Sequence, residues 1–202
     1  MNQARGLLAE YGIVSPQGHK AFCTLIHRVS DPANGELSHL LRPHFRALAD
    51  EYYALCDRID EVQVSLQSLV DSNPHCQILM SIPGIGIANA TAIYSAIGCG
   101  EQFRSAREFA VWLGLTPKQH SSGEKQRTGG ISKRGNRYLR KQLVHGARSA
   151  VSRSKTKTDA LSVWINKLVT RRGVQKAYVA MAARMARLAW ILLQKHECYR
   201  VH

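Results

Sequence analysis

The sequence predicts an all-α protein in which a helical and coiled-coil arm (residues 1–73) precedes a compact helical domain (residues 74–202). Three observations support this prediction. Apolar residues between Phe45 and Leu69 recur at intervals of three and four, which is the spacing of a helix. Short helical segments bounded by glycine and proline follow Pro74. The alanine-rich segment 174–195 also carries large apolar residues at helical intervals.

The arm is predicted to begin with two short helices, Asn2–Tyr11 and Gln17–Val29, followed by a break at residues 31–35. A seam of nearly four heptads comes next, and residues 71–74 end its helix. The seam consists of Phe45, Leu48, Tyr52, Leu55, Ile59, Val62, Leu66 and Leu69. Such a seam indicates a coiled coil that joins two chains, although a long helix that packs against its own chain shows the same pattern.

Charge is divided unevenly along the chain. The 28 Lys and Arg residues outnumber the 14 Asp and Glu residues, so the formal net charge is +14. Residues 1–100 hold 6 basic and 9 acidic side chains, whereas residues 101–202 hold 22 and 5. Because 45% of the residues are hydrophobic, the chain can bury a core, which excludes a wholly disordered basic tail. The C-terminal half is therefore predicted to bind a polyanion.

Cysteine usage and hydropathy indicate the compartment. The five cysteines are widely spaced and never form a CxxC pair, which argues against a disulfide framework and against a zinc knuckle. No apolar stretch approaches the roughly 18 residues that cross a bilayer, and the N-terminus lacks the apolar part of a signal peptide. We expect a cytoplasmic protein with no membrane partner.

Residues 81–90 place a Pro-Gly-Ile-Gly turn between two apolar helices, the second of which is predicted at Ile87–Ile97. Gly84 and Gly86 allow a tight turn and expose backbone N–H groups that bind phosphate. This pattern is typical of a helix-hairpin-helix, which binds the nucleic-acid backbone without reading sequence. An ordinary corner between two helices, held by Ile85, shows the same pattern, so both interpretations stay open.

A basic segment from Lys118 to Lys157 contains 12 Lys and Arg residues and one acidic residue, Glu124. Its predicted helix, Arg134–Val151, carries cations on one face and apolar residues on the opposite face, which indicates a surface that docks on phosphates. A further helix is predicted at Asp159–Arg171. The predicted nucleic-acid contacts are Gly84, Gly86, Lys118, Lys125, Arg127, Lys133, Arg134, Arg137, Arg140, Lys141 and Arg148.

Ahead of this helix, Ser105 and Glu108 have the spacing of a capping box, and residues 115–133 are predicted to form a loop or a small hairpin. Within that segment Ser122 precedes a glycine among cations, and an activated hydroxyl there can attack a phosphodiester. Serine–glycine pairs are common in loops, so local chemistry alone identifies the nucleophile weakly. Ser132 is predicted to be the N-cap of the basic helix, and His120 to contact solvent or phosphate.

Five ordered blocks of sequence follow one another along the C-terminal half: residues 82–86 (IPGIG), 103–110 (FRSAREFA), 114–117 (GLTP), 122–123 (SG) and 130–140 (GISKRGNRYLR). Together they resemble the C-terminal domain of the IS110 family of bacterial insertion-sequence transposases, with its IS1111 branch. The resemblance is close over about residues 75–150 and looser to about residue 195. Residues 2–12 are similar to the segment that follows an N-terminal RuvC-like domain in this family. The chain is therefore expected to be a truncated transposase that lacks this domain and its acidic DEDD set.

The resemblance implies a mechanism. In this family a serine of the C-terminal domain attacks DNA and forms a covalent phosphoserine link, assisted by magnesium on the RuvC-like acids. Ser122 matches the nucleophile, and Ser121 is the alternative. No metal ligand or cofactor is expected within this chain, whereas an element-encoded guide RNA and a homo-oligomer assembled through the coiled coil are expected partners. The alternative function is a non-enzymatic nucleic-acid-binding module in which the serine loop only touches phosphates.

Overall fold

A computed structural model describes residues 1–122 and 125–200, without the side chains of residues 120–122 and 125–128. The chain divides into two compact units, unit 1 (Met1–Val64) and unit 2 (Ser65–His202). Over the described residues the fold is mostly helical with one two-stranded sheet, which confirms the predicted all-α class. Within the same residues no helix has the length and apolar character needed to span a membrane.

Unit 1 contains α1 (Asn2–Glu10), α2 (His19–Ser30) and the first part of α3 (Arg42–Ser72). The three helices agree with the sequence prediction to within a few residues. Their apolar sides meet in a small core, which includes the fully buried side chains of Leu8, Phe22 and Ile26. The Arg42 guanidinium ties the loop before α3 to this unit by donating to the carbonyls of Asn34 and Leu37.

The seam on α3 is buried only at its beginning. Phe45 is 4% exposed and belongs to the core of unit 1. Four later seam residues are between 52% and 58% exposed: Leu55, Ile59, Val62 and Leu69. An apolar stripe of this kind is available to a second helix, and the coiled-coil oligomer stays a prediction.

Unit 2 is built around a long C-terminal helix. Its helices are α4 (Pro74–Met80), α5 (Ile87–Ile97), α6 (Ala106–Trp112), α7 (Arg137–Arg153), a short 3-10 helix (Ser154–Thr156), α8 (Ala160–Arg172) and α9 (Val174–Lys195). Helix α9 packs against α4, α6, α7 and α8, and Met181, Met185 and Leu193 are among its fully buried residues.

Three long-range hydrogen bonds fix the C-terminal end of unit 2. The indole N–H of Trp190 donates to the carbonyl of Gly100 at 2.9 Å, and the amide of Gln194 donates to the carbonyl of Cys99 at 2.7 Å. Beyond α9, the backbone N–H of Tyr199 donates to the Ser81 hydroxyl at 2.8 Å. The end of α9 is thereby held against the segment that contains α4 and α5.

Polar side chains begin several helices of unit 2. Ser105 accepts a hydrogen bond from the Glu108 N–H at 3.2 Å, and the Glu108 carboxylate accepts one from the Arg104 N–H at 2.7 Å. Ser105 is therefore confirmed as the N-cap of α6. The hydrogen bond that the Glu108 carboxylate accepts comes from the N–H of Arg104, one residue before the N–H of Ser105 that a capping box uses. Asn73 caps α4 and Asp159 caps α8 in the same way.

Residues between α6 and α7 form an antiparallel hairpin of β1 (Pro117–Ser122) and β2 (Lys125–Ile131). Near Gly129 and Gly130, β2 contains one residue more than the paired part of β1, and this extra residue forms a β-bulge. The predicted loop or hairpin at residues 115–133 is thus a hairpin. Its base is closed by the N–H of Ser132, which donates to the Thr116 carbonyl at 2.8 Å.

The predicted start of the basic helix is wrong by three residues. Helix α7 begins at Arg137, and its N-cap is Asn136, whose side chain accepts from the Leu139 N–H at 3.0 Å; Ser132 is not the cap. Residues 132–136, the connector, instead pass over the end of α6. A Cβ atom at Gly135 would lie 1.7 Å from the Trp112 carbonyl oxygen. Gly135 has a φ of +93°, so close backbone packing outweighs helix propensity here.

Candidate nucleic-acid interface

Helix α7 has a basic face, formed by the exposed residues Arg137, Lys141, His145 and Arg148. The opposite side of the helix is buried, with Leu139, Leu143, Ala147 and Val151 in the core of unit 2. The predicted separation of charge and apolar residues is confirmed within the helix. From Arg137 to Arg148 the face is about 16 Å long, at about 1.5 Å per residue.

The cations of the basic face have no carboxylate partner among the residues that the structure describes. The ion pair of Arg28 with Glu36, at 3.2 Å, lies in unit 1. On the basic face the Arg148 guanidinium lies 5.9 Å above the ring of Tyr178 and otherwise faces outward. Unpaired surface cations raise the local positive potential, which attracts a polyanion.

Two features of this surface were missed by sequence reasoning. His145 extends the basic face between Lys141 and Arg148, and its helical spacing of four residues from Lys141 could have identified it. Tyr138, which is 56% exposed, follows Arg137 and offers an aromatic ring beside the cations. Exposed aromatic rings next to cations suit contact with nucleotide bases or sugars.

Arg140 has a structural role in addition to its predicted one. Its side chain is half-buried, and Nη1 donates to the carbonyl oxygens of Leu113 at 2.9 Å and Arg134 at 3.4 Å. These bonds join the start of α7 to the end of α6 and to the connector. The neighbouring Lys133 and Arg134 are exposed on the connector. The structure therefore gathers three predicted contacts around the C-terminal end of α6.

Helices α4 and α5, with the turn between them, form a corner (residues 74–97) that packs directly on α7. A Cβ at Gly146 of α7 would lie 2.0 Å from the Gly84 carbonyl oxygen, so the two backbones are in contact. Buried Asn89 joins the same elements, because its amide donates to the carbonyl of Gln142 at 3.3 Å. Gly84 thus has a packing role, whereas Gly86 is exposed at the start of α5.

A further cationic site lies beside this corner. Arg153 and Lys157 line a cavity of about 310 Å³ together with Pro83 and Gly84. Asp159 also lines it, and hydrogen bonds from the hydroxyl and backbone N–H of Ser162 lower the pKa of its carboxyl group. The carboxylate is therefore committed to capping α8.

The β1–β2 hairpin carries the remaining predicted residues. Lys118 is exposed on β1. Ser122 ends β1 opposite Lys125, and His120 lies opposite Arg127 in the strand register. The side chains of these four residues, and Gly123 of the predicted serine–glycine pair, lie outside the described residues. The backbone alone places two predicted cations across from the predicted serine segment.

The described residues do not fit the implied magnesium. In residues 1–122 and 125–200, as far as side chains are described, no group of three or more His, Cys, Asp or Glu residues is arranged to hold a metal ion. Carboxylate oxygens are the ligands that magnesium prefers.

Comparison with known proteins decides the family. Residues 76–162 match the model of the Transposase IS116/IS110/IS902 family, and they contain the hairpin, the basic face and all but the first two residues of the corner. This part of the chain belongs to that transposase family. The resemblance predicted from the five blocks is confirmed.

Relatives of this family match nearly the whole chain. It is 40% identical over 200 residues to a probable family 20 transposase of Pseudomonas aeruginosa, which covers 98% of the chain and 59% of the relative. It is 37% identical to the transposase for insertion sequence element IS1111A of Coxiella burnetii, over 99% of the chain and 55% of that protein. A transposase for element IS1328 of Yersinia enterocolitica is 34% identical, with 95% and 56% covered. The chain thus spans between one half and three fifths of these relatives.

Proposed function

We propose that this chain is the DNA-binding, serine-bearing C-terminal half of an insertion-sequence transposase. The observation that carries the proposal is the basic face of α7, which has unpaired cations outside and a buried apolar side, within a segment of the transposase family. The curated relatives are named as transposases. In this proposal the basic face holds DNA beside the β1–β2 hairpin, so that a phosphodiester lies at Ser122.

The basic face suits the phosphate backbone. Its length of about 16 Å corresponds to about five nucleotide steps of roughly 3.4 Å along one strand. Contacts to phosphate carry no sequence information, so binding is weakly sequence-selective and strongly salt-dependent. With about six phosphate contacts, the logarithm of the binding constant falls against the logarithm of salt concentration with a slope of roughly −5.

Ser122 is the proposed nucleophile. Its hydroxyl oxygen gives up its proton and forms a bond to phosphorus, the bond from phosphorus to the leaving nucleotide oxygen breaks, and that leaving oxygen takes up one proton, so that no net proton is gained or lost. The strand is thereby held as a phosphoserine ester. Lys125 and Arg127, which lie across the hairpin from the serine segment in the strand register, would stabilise the added negative charge of the pentacoordinate phosphorus.

Three partners complete the proposal. Magnesium would be bound by the acids of a RuvC-like domain outside these 202 residues. An element-encoded RNA would select the DNA. The exposed part of the seam, with Leu55, Ile59 and Val62, would pair with a second copy of the chain.

A second candidate function is a nucleic-acid-binding module without catalysis. It is favoured by the basic face, because the cations of this face belong to α7 and not to the hairpin that contains Ser122. In this case the corner and α7 bind phosphates, and the hairpin only adds contacts.

Detection of a covalent adduct distinguishes the two functions. The full chain is mixed with a RuvC-like domain in trans, magnesium, guide RNA and target DNA, and adducts that resist denaturation are counted. We expect Ser122→Ala to abolish the adduct, and Ser121→Ala, the matched control, to retain it. Loss in Ser121→Ala alone would move the nucleophile by one residue. An adduct that survives both changes would overturn the serine mechanism, and DNA binding with no adduct in the unmodified chain would favour the module.

A further inference from the structure

A cavity of about 580 Å³ lies where the base of the β1–β2 hairpin meets helices α6 and α9. Two arginines line it from different elements, Arg107 on α6 and Arg187 on α9. Its volume lies within the range of about 300–1,000 Å³ that is typical of ligand sites. The described residues that line this cavity include none of those predicted from the sequence to bind nucleic acid.

The walls of this hairpin cavity combine two kinds of chemistry. Val111, Leu115, Pro117 and Ala183 contribute apolar surface, whereas the two guanidinium groups contribute positive charge. Thr116 and Gln119 add polar groups at the start of β1. A ligand that suits all of these groups has an anionic part and a flat or apolar part.

The two arginines are free to bind an anion. Both are exposed, and neither forms an ion pair with a carboxylate in the described part of the chain. Arg187 donates from Nε to the carbonyl of Ala183 at 3.2 Å, which fixes the guanidinium and leaves its terminal nitrogens available. The nearby Glu108 carboxylate is occupied by the Arg104 N–H. Arginine is the side chain best suited to bidentate phosphate contacts.

We propose that the hairpin cavity holds one unstacked nucleotide of a single-stranded segment, with its phosphate on Arg107 and Arg187 and its base against the apolar wall. A duplex keeps its bases stacked inside, so it cannot fill a concave site without extruding a nucleotide. Apolar side chains provide the surface on which an extruded base packs. The shared chemistry is a nucleotide of either DNA or RNA.

The position of the cavity connects it to the proposed serine chemistry, and the inference therefore rests on the proposed function. Pro117, in the cavity wall, and Ser122, at the end of β1, are five residue steps apart along the strand. At about 3.3 Å per residue this is about 17 Å. A strand anchored in the cavity would be held a short, fixed distance from the reacting phosphodiester.

Binding of oligonucleotides to the full chain tests the proposal. Fluorescence anisotropy is measured with labelled oligo(dT), oligo(rU) and a DNA duplex of equal length. We expect Arg107→Gln with Arg187→Gln to weaken single-strand binding roughly tenfold more than the control pair Arg171→Gln with Arg172→Gln. The salt slope for oligo(dT) should become shallower by about 0.7–1.4, as expected for one or two lost phosphate contacts. Duplex binding should change equally in both pairs.

The control pair removes two exposed arginines at the end of α8, which do not line the cavity. Ala183→Leu fills the cavity without changing charge and should also weaken single-strand binding selectively. A 2-aminopurine base in the oligonucleotide should brighten on binding to the unmodified chain, because it leaves the stack, and stay dim with Ala183→Leu. Thermal unfolding of every variant checks that the fold is intact.

The remaining outcomes are decisive. Equal losses for single strand and duplex, or losses matched by the control pair, would reduce the two arginines to ordinary surface charge and overturn the inference. Selective loss with oligo(rU) alone would identify RNA as the source of the nucleotide, and loss with oligo(dT) alone would identify DNA. If the unmodified chain bound no oligonucleotide at all, the proposed function itself would fail, whereas duplex binding with insensitive arginines would remove only this inference.

Discussion

Units 1 and 2 are both built mainly of helices, but they differ in charge. Unit 1 carries 6 basic and 8 acidic residues, and unit 2 carries 22 and 6. In unit 1 an arginine pairs with a glutamate, whereas the cations on α7 of unit 2 point outward without such partners among the described residues. Concentrated like charge opposes the compact state. Unit 2 therefore needs packing that is strong enough to offset this repulsion.

The two units also differ in how closely backbone segments pack together inside each unit. In unit 1 a Cβ added at Gly6, Gly12, Gly18 or Gly35 would meet no atom within 4 Å. In unit 2 a Cβ at Gly84, Gly114, Gly135 or Gly146 would lie within 2.6 Å of a backbone oxygen. The comparison indicates that direct contacts between backbone segments of unit 2 hold in place the elements that carry its cations.

The largest expected effect concerns DNA affinity. Replacing Arg137, Lys141 and Arg148 with Gln should lower duplex affinity roughly 100-fold and make the salt slope shallower by about 2.7, because three phosphate contacts are lost. The matched control replaces three exposed cations of unit 1, Lys20, Arg46 and Arg58, with Gln. It should change affinity less than about threefold, through long-range charge alone. Equal losses in a fluorescence anisotropy titration would contradict the assignment of binding to unit 2.

The next largest expected effect is on stability, and it compares the packing around one glycine in each unit. Gly146→Ala should lower the free energy of unfolding by about 3 kcal/mol, because the new methyl group collides with the Gly84 carbonyl. Gly6→Ala, in the interior of α1 with open space around it, should raise this free energy by roughly 0.5–1 kcal/mol through helix propensity. Urea unfolding followed by circular dichroism measures both. Stabilisation by Gly146→Ala would refute the close contact.

The smallest effect is a difference in pH response. Burial, and then a hydrogen bond with Cys56, raise the pKa of Tyr52 in unit 1 from its usual 10.0 to about 12. The unfolded phenol ionises near pH 10 while the folded one does not, so unit 1 loses stability as the pH rises from about 10 to about 12. Tyr52→Phe should flatten this alkaline limb in a series of thermal unfolding curves.

Asp159 of unit 2 provides the control for this measurement. Its pKa is lowered in the folded chain, so its contribution is present above the ordinary carboxyl pKa and is lost as the pH falls through the lowered value. Asp159→Asn should therefore alter only the acid limb, and Tyr52→Phe only the alkaline limb. A variant that changed the opposite limb would show that the pKa shift has been attributed to the wrong residue.

Local sequence signals were sufficient for much of the fold. Helices α5 and α9 begin and end where their glycine and apolar patterns place them, at Ile87–Ile97 and Val174–Lys195. The buried and exposed sides of α7 likewise follow from its period of 3.6 residues. These features depend on residues that are neighbours within one helix, so local sequence patterns are sufficient to predict them.

Features that depend on distant residues could not be predicted in this way. The start of α7 was misplaced because Gly135 packs on Trp112, a contact between residues 23 positions apart that has no local pattern. The bond from Arg140 to the Leu113 carbonyl joins residues 27 positions apart. The hairpin cavity needs α6, α9 and β1 together, so Arg107 and Arg187 looked like ordinary surface cations.

The bonds at the end of α9 have a consequence for synthesis on the ribosome. Trp190, Gln194 and Tyr199 reach back across 90, 95 and 118 positions to residues 100, 99 and 81. The apolar sides of α4, α6 and α7 therefore have no cover until α9 has emerged from the exit tunnel. A nascent chain that stalls before residue 174 exposes these apolar surfaces, which makes interrupted translation products of this chain prone to aggregation and proteolysis.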